Sequence, residues 1–394
     1  MTDQHLSYEW IETFPHLEEV ARILRQAEII GVDLEADSLY HYFEKVCLLQ
    51  ISTESASYVL DPLALRDLSL LQPIFTDSGI RKVFHGADYD IRSLFRDFQL
   101  EVQNLFDTQL ACQFLGLRET GLDAVLRTRF QIELNKKFQR ADWSRRPLPS
   151  NMVEYAASDG RYLIPLARLL EKELKEKGRL SWVEEECQWL TRVRFLPPGS
   201  NPLFQKIKGA AHLDPRGLAV LESLLRFRET LARKADIPPF KVFGNEPLLE
   251  LAVKKPLTME ELEKGTTLSR KQIDRYALDL IREIHRAMAL PPSALPLFRK
   301  QARPLLPGTV NNRIKDLKHW RQRRAKDLIM DPGILINNAT IIALAKKNPS
   351  SPEVMKEVPG MKKWLIDQFG LEILATLKRG WRELEEKGSK NIGE

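Results

Sequence analysis

Apolar and polar positions along the chain follow two regimes. In the first half, short apolar runs (EIIGVDLEA, VCLLQIST, ASYVLD and RKVFHGA) stand between helical stretches. Runs of this length bounded by turn residues read as buried strands, and helical periodicity then dominates to about residue 195, which makes this half α/β. The segment FLPPGSNPLF, residues 195–204, collects three prolines with a glycine, a serine and an asparagine, and marks a domain boundary. Beyond it strand signals almost vanish. Amphipathic helices take over, broken again at LPPSALPLF (290–298) and RPLLPG (303–308).

The two helical blocks superpose on one another at an ungapped offset of 93 residues: Phe227 falls on Trp320, Arg228 on Arg321, Pro239 on Pro332, Asn245 on Asn338 and Lys254 on Lys347. Shared helical composition explains matches of Leu, Ala and Lys but not aligned prolines and asparagines. So long a period means a duplicated domain, since solenoid repeats run roughly 20–50 residues. The expected organisation is a first domain over residues 1–200 and helical domains over 209–290 and 309–382.

Composition narrows the class. With 394 residues, 43% hydrophobic and 29% charged, the chain suits two or three globular domains. No run approaches the eighteen apolar residues of a membrane span, so no membrane association is expected. The N-terminus lacks a basic start followed by an apolar stretch, and Cys47, Cys112 and Cys187 are odd in number and far apart. Both features point to a reducing cytoplasm and away from a disulfide framework or thiolate zinc. Charge is divided unevenly: residues 1–200 hold 24 Lys and Arg against 31 Asp and Glu, whereas residues 201–394 hold 36 against 23. A net −7 half beside a net +13 half suits carboxylate or cation chemistry in the first and a grip on a polyanion, nucleic acid, in the second.

Three acidic features carry candidate chemistry. Asp33 and Glu35 end a buried strand two residues apart, hence on one face of a sheet. Buried unpaired acids are costly, and a metal ion would neutralise them; alternatively Asp33 caps a turn. Asp90 follows a strand and a small-residue turn, just before the inward stripe Ile91, Leu94, Phe95 and Phe98; Asp88 and Asp90 also suit a helix N-terminus. In NMVEYAASDGRYLIPLARLL, read as one helix, Tyr155 and Asp159 are four residues apart on a largely apolar face, where catalysis and a Tyr-satisfied Asp are equally good readings.

Together the order DxE (Asp33, Glu35), H-x4-D (His85, Asp90) and Y-x3-D (Tyr155, Asp159) resembles the three motifs of the DEDD exonuclease superfamily in its tyrosine branch. FDTQLA (106–111) and KFQRADWSRRPL resemble the ribonuclease D family, whose tandem HRDC domains the two helical blocks also resemble. The resemblance implies a ribonuclease H-like exonuclease domain, a mixed sheet flanked by helices, followed by two all-α bundles. It further implies two divalent cations, Mg²⁺ or Mn²⁺, held by Asp33, Glu35, Asp90 and Asp159, with Tyr155 orienting the attacking water. Two such ions suit phosphodiester hydrolysis because they stabilise both attacking and leaving oxygens. Lys137, Gln139, Trp143, Arg145 and Arg146 precede the third motif, where cations can meet phosphates and an aromatic can stack on a base or anchor a loop. His85 reads as structural or substrate-adjacent, and Gln50 as either a site contact or a satisfied sheet residue.

The function so implied is that of a monomeric, metal-dependent 3′-5′ exoribonuclease, trimming tRNA precursors and other small structured RNAs with a free 3′-OH to 5′-mononucleotides. A DNA-directed 3′-5′ exonuclease uses the same acids and is the first alternative. An inactive RNA-binding scaffold is the second, and its mark would be a missing acid.

Overall fold

The computed structural model describes residues 8–196, 199, 201–298 and 306–390. Six strands form one mixed sheet: β1 (Tyr8–Ile11), β2 (Ile29–Ala36), β3 (Val46–Ser52), β4 (Ser57–Leu60), β5 (Arg81–Phe84) and β6 (Leu105–Asp107), in the order β1-β4-β3-β2-β5-β6. The β2–β3–β4 meander is antiparallel, and β1, β5 and β6 join it in parallel pairings with β4, β2 and β5. β1 and β6 escape the apolar-run criterion because they are short and carry Glu9 and Asp107 within them.

Seven main helices accompany the sheet: α1 (Phe14–Leu24), α2 (Asp88–Phe98), α3 (Thr108–Leu115), α4 (Leu122–Phe130), α5 (Ser150–Arg161), α6 (Leu163–Glu176) and α7 (Leu180–Leu190). α5 lies across β2, β3 and β4, and α6 across β2 and β5. The single helix expected over NMVEYAASDGRYLIPLARLL is therefore two, parted at Tyr162. Pro165 explains the restart: it is the third residue of α6, in a first turn where its missing N–H leaves no helical acceptor unserved. The close seating of α5 depends on Gly31. A Cβ there would lie 2.5 Å from Ser52 Oγ and 3.0 Å from the Gly160 carbonyl, so only glycine lets the end of α5 approach β2.

The duplication is explicit in the structure. The first repeat comprises α8 (Pro215–Ala235), α9 (Pro239–Val242), α10 (Asn245–Lys254), α11 (Met259–Gly265) and α12 (Arg270–Met288). The second comprises α13 (Gly308–Leu328), α14 (Pro332–Leu335), α15 (Asn338–Lys347), α16 (Pro352–Met355) and α17 (Lys363–Lys390). Each helix of the second begins 93 residues after its counterpart. The aligned pairs make the same bonds: Arg228 donates to the Phe243 carbonyl and to Asn245 Oδ1 at 3.1 and 2.8 Å, Arg321 to the Ile336 carbonyl and to Asn338 Oδ1 at 2.9 and 3.1 Å. In each repeat one guanidinium thus ties the long first helix to the N-terminus of the third.

The chain divides into two compact units. One holds residues 1–36, 46–195 and 305–394, so the second repeat and the sheet share a hydrophobic core. Trp182 of α7 stacks on Trp364 of α17 at 4.8 Å, and Phe114 meets Trp364 edge-on at 5.6 Å. The Glu185 carboxylate accepts the first N–H groups of α17, from Lys363 and Trp364, at 2.7 Å each. The other unit holds residues 37–45 and 196–304. Within it, Asp236, in the left-handed conformation at the end of α8, accepts the Tyr42 and Phe43 N–H groups at 3.1 and 3.0 Å and pairs with His41 Nδ1 at 2.8 Å.

Candidate active site

The strand period places Gly31, Asp33 and Glu35 on the face of the sheet that α5 covers, and the antiparallel register sets Asp33 opposite Gln50 and Gly31 opposite Ser52. Ser52 Oγ donates to the Gly160 carbonyl at 2.8 Å, fixing the end of the helix that carries Tyr155 and Asp159. Asp90 arrives from the opposite side of β2, in the first turn of α2 after β5. The turn before it is held by Asp107, whose two oxygens accept the Gly86 and Ala87 N–H groups at 2.9 Å each while one also caps α3 through Gln109 at 2.8 Å. Gly86 has φ +79°, a left-handed conformation that a side chain would strain.

These acids sit in an unfavourable setting for charge. Burial raises Asp33 to about 6, partly offset by the Leu34 N–H. Asp90 is 9% exposed; burial first, then repulsion from Asp33 and Asp107, pushes its carboxyl well above the usual range. Two acids from separate elements therefore feel one another, and among the described residues no Lys, Arg or His forms an ion pair with either. A bound divalent cation would offset the charge of Asp33 and Asp90. Hard oxygen donors of this kind fit Mg²⁺ or Mn²⁺, which retain waters and need few protein ligands. Among the described residues no three His, Cys, Asp or Glu side chains close a cage on their own. The side chain of Asp159, on α5, lies outside the described residues.

The other expected residues divide. Glu35 is half-buried on the Asp33 face. Tyr155 is half-buried, with Phe138 edge-on at 5.8 Å and Trp143 tilted at 6.0 Å. Gln50 is 2% exposed, and among the described residues neither its amide nitrogen nor its oxygen has a hydrogen-bond partner. His85 pairs through Nδ1 with Thr108 Oγ1 at 2.9 Å, and burial lowers its pKa, which suits the structural reading. Lys137, Gln139 and Arg145 are exposed, Arg145 donating to Asp142 at 3.1 Å.

The structure selects one of the two readings of Trp143 and corrects that of Arg146. Trp143 is 1% exposed and has no free face for a base, so it anchors the loop and backs Tyr155. Arg146 is not spare for phosphate: it grips both oxygens of buried Asp61 at 2.6 Å each and donates to the carbonyls of Trp143, Arg145 and Cys47. A carboxylate 3% exposed needs that counter-charge. Ser52, Asp107 and Gly31, which position the acids, were not among the expected residues. For Asp107 the signal was present, an Asp before Thr-Gln-Leu-Ala, the pattern of a helix N-cap.

Comparison with known proteins identifies the domains. The family model for 3′-5′ exonuclease matches residues 8–175, and that for the HRDC domain matches residues 217–284 and 310–377. Protein RRP6-like 3 of Arabidopsis thaliana is 34% identical over 283 residues, covering 65% of this chain. The chain spans only about a third of that protein's length, 32%. The catalytic core of RRP6 from Trypanosoma brucei is 31% identical, with TM-score 0.66, over 75% of this chain and 82% of that one. Escherichia coli RNase D, described as an exoribonuclease involved in structured RNA processing, is 26% identical, with TM-score 0.69, over 96% of this chain and 99% of that one. The 3′-5′ exonuclease match over the sheet domain, the two HRDC matches and the likeness to the RRP6 core and to RNase D place this chain in the ribonuclease D family of 3′-5′ exonucleases.

Proposed function

We propose that the protein is a divalent-metal-dependent 3′-5′ exoribonuclease that trims the 3′ ends of structured RNAs, tRNA precursors among them, as a monomer in the cytoplasm. The supporting observation is that buried Asp90, on α2, lies near enough to Asp33, on β2, for that acid to raise its pKa, with no ion-pairing Lys, Arg or His on either among the described residues. Asp33, Glu35, Asp90 and Asp159 would hold the ions. When bound, two such ions acidify a water and offset charge on the phosphoryl oxygens.

The chain's own residues supply the rest. Tyr155 orients the water from α5, its ring held by Phe138 and Trp143 so that the hydroxyl has little freedom. A free tyrosine phenol has a pKa near 10, which favours positioning over proton abstraction. Exposed Lys137 and Arg145 meet the phosphates of the departing strand. Residues 1–200 carry the chemistry, and the repeats at 209–290 and 309–382 extend the hold on RNA through their excess of Lys and Arg.

The test is digestion of 5′-end-labelled RNA and a matched DNA, with Mg²⁺ or with EDTA, against the same oligonucleotides bearing a 3′-phosphate. A ladder shortening from the 3′ end, abolished by EDTA and by the 3′-phosphate and slower on DNA, is the expected result. Faster DNA cleavage assigns the enzyme to DNA, and binding without release assigns it to the scaffold class.

A further inference from the structure

Gln50 is out of place in its strand. β3 is buried from end to end, and the neighbours of Gln50 along it are Leu48, Leu49 and Ile51. A leucine or methionine would serve that position in the sheet. Instead an amide with a donor and an acceptor sits there, each atom shielded from solvent and, among the described residues, each without a partner. Leaving such a group unsatisfied costs about 1–3 kcal/mol per donor or acceptor. Nothing in the packing of the sheet repays that cost.

Its position narrows what the amide serves. Gln50 stands directly across from Asp33, so the two side chains leave the same face as neighbours, typically about 5 Å apart at Cβ. On the other side it reaches the C-terminal end of α5: a Cβ on Gly160, the residue after Asp159, would lie 3.8 Å from the Gln50 Cβ. Gln50 therefore lies between the strand that carries the DxE acids and the helix that carries Tyr155 and Asp159. At 2% exposure it is too deep for a ribose or a phosphate to seat against. The group its amide can reach is the carboxylate across the strand pair: the amide nitrogen can donate to an Asp33 oxygen that an ion leaves free.

We infer that Gln50 is a positioning residue for the cation site, its amide nitrogen donating to the carboxylate of Asp33 and so orienting that acid towards the ion. This rests on the proposed metal site at Asp33 and Asp90. It explains why the position is polar, and it differs from a substrate contact because it needs no RNA.

The experiment is Mn²⁺ binding to metal-free full-length protein without RNA, followed by electron paramagnetic resonance of free Mn²⁺ and by melting temperature with and without the ion. Asp33→Asn serves as control; if it binds Mn²⁺ like the wild type, the site reading itself fails and Gln50 is not at issue. Given weakened binding in that control, Gln50→Leu should bind Mn²⁺ roughly ten-fold more weakly, the usual scale for groups that orient metal ligands, while melting higher than wild type without metal. A structural role predicts the reverse melting shift. Gln50→Glu should bind Mn²⁺ more tightly and melt lower without it, since it adds an acid beside Asp33. Mn²⁺ affinity within two-fold of wild type in the Leu variant, or no gain in the Glu variant, overturns the inference.

Discussion

At the scale of single residues, the site is a place where the fold tolerates charge it would otherwise reject. Asp33 is held at about 6, above its ordinary 3.8, so the native state holds its proton more tightly than the unfolded chain. Stability from this group is greatest below pH 4 and is lost as pH rises through 4 to 6, with Asp90 extending the loss upward. Metal-free protein should therefore melt lower at pH 7.5 than at pH 5, and Mg²⁺ should raise the melting temperature more at pH 7.5. Asp33→Asn should abolish cleavage, leave RNA binding near wild type, and stabilise the metal-free protein at pH 7.5 by on the order of 2 kcal/mol, read by denaturant titration. A variant equally destabilised at every pH would show that Asp33 is a packing residue.

At the scale of elements, the site depends on how tightly α5 is drawn against β2. Gly31→Ala would push a methyl into Ser52 Oγ and the Gly160 carbonyl, and should cost roughly 1–3 kcal/mol with a larger fall in kcat than in RNA affinity. Kinetics and thermal melts on one preparation distinguish this from simple unfolding. Here the limits of the sequence are plain. Apolar runs marked β2, β3, β4 and β5 because buried strands require them, and the aligned prolines and asparagines marked the duplication because they sit at helix starts. That Tyr155 and Asp159 share one helix, α5, was legible from their spacing. What did not show was anything that depends on a partner distant in the chain: the engagement of Arg146 with Asp61, the burial of Trp143, and the idle amide of Gln50. The break between α5 and α6 follows from Pro165, which a continuous apolar stripe does not reveal.

At the scale of the molecule, the two repeats share an ancestry and differ in surroundings. α17 buries Trp364 against Trp182 and Phe114, so the second repeat completes the hydrophobic core of the sheet domain. Ending the chain at residue 304 should yield protein that is aggregated or readily digested by trypsin, whereas Trp364→Phe should remain soluble with a lowered melting temperature. The basic excess of the second half is better tested by substitution than by deletion. Neutralising exposed Lys318, Arg323 and Lys326 on α13 should weaken RNA binding and reduce the slope of log affinity against log salt by roughly one for each phosphate left without its cation. An unchanged slope would direct α13 to another partner.

The shared core around Trp182 and Trp364 also bears on heredity. A premature stop codon or frameshift late in the reading frame would not produce a nuclease with a looser hold on its substrate; it would expose indole and phenyl rings to proteases, and the allele would behave as a null.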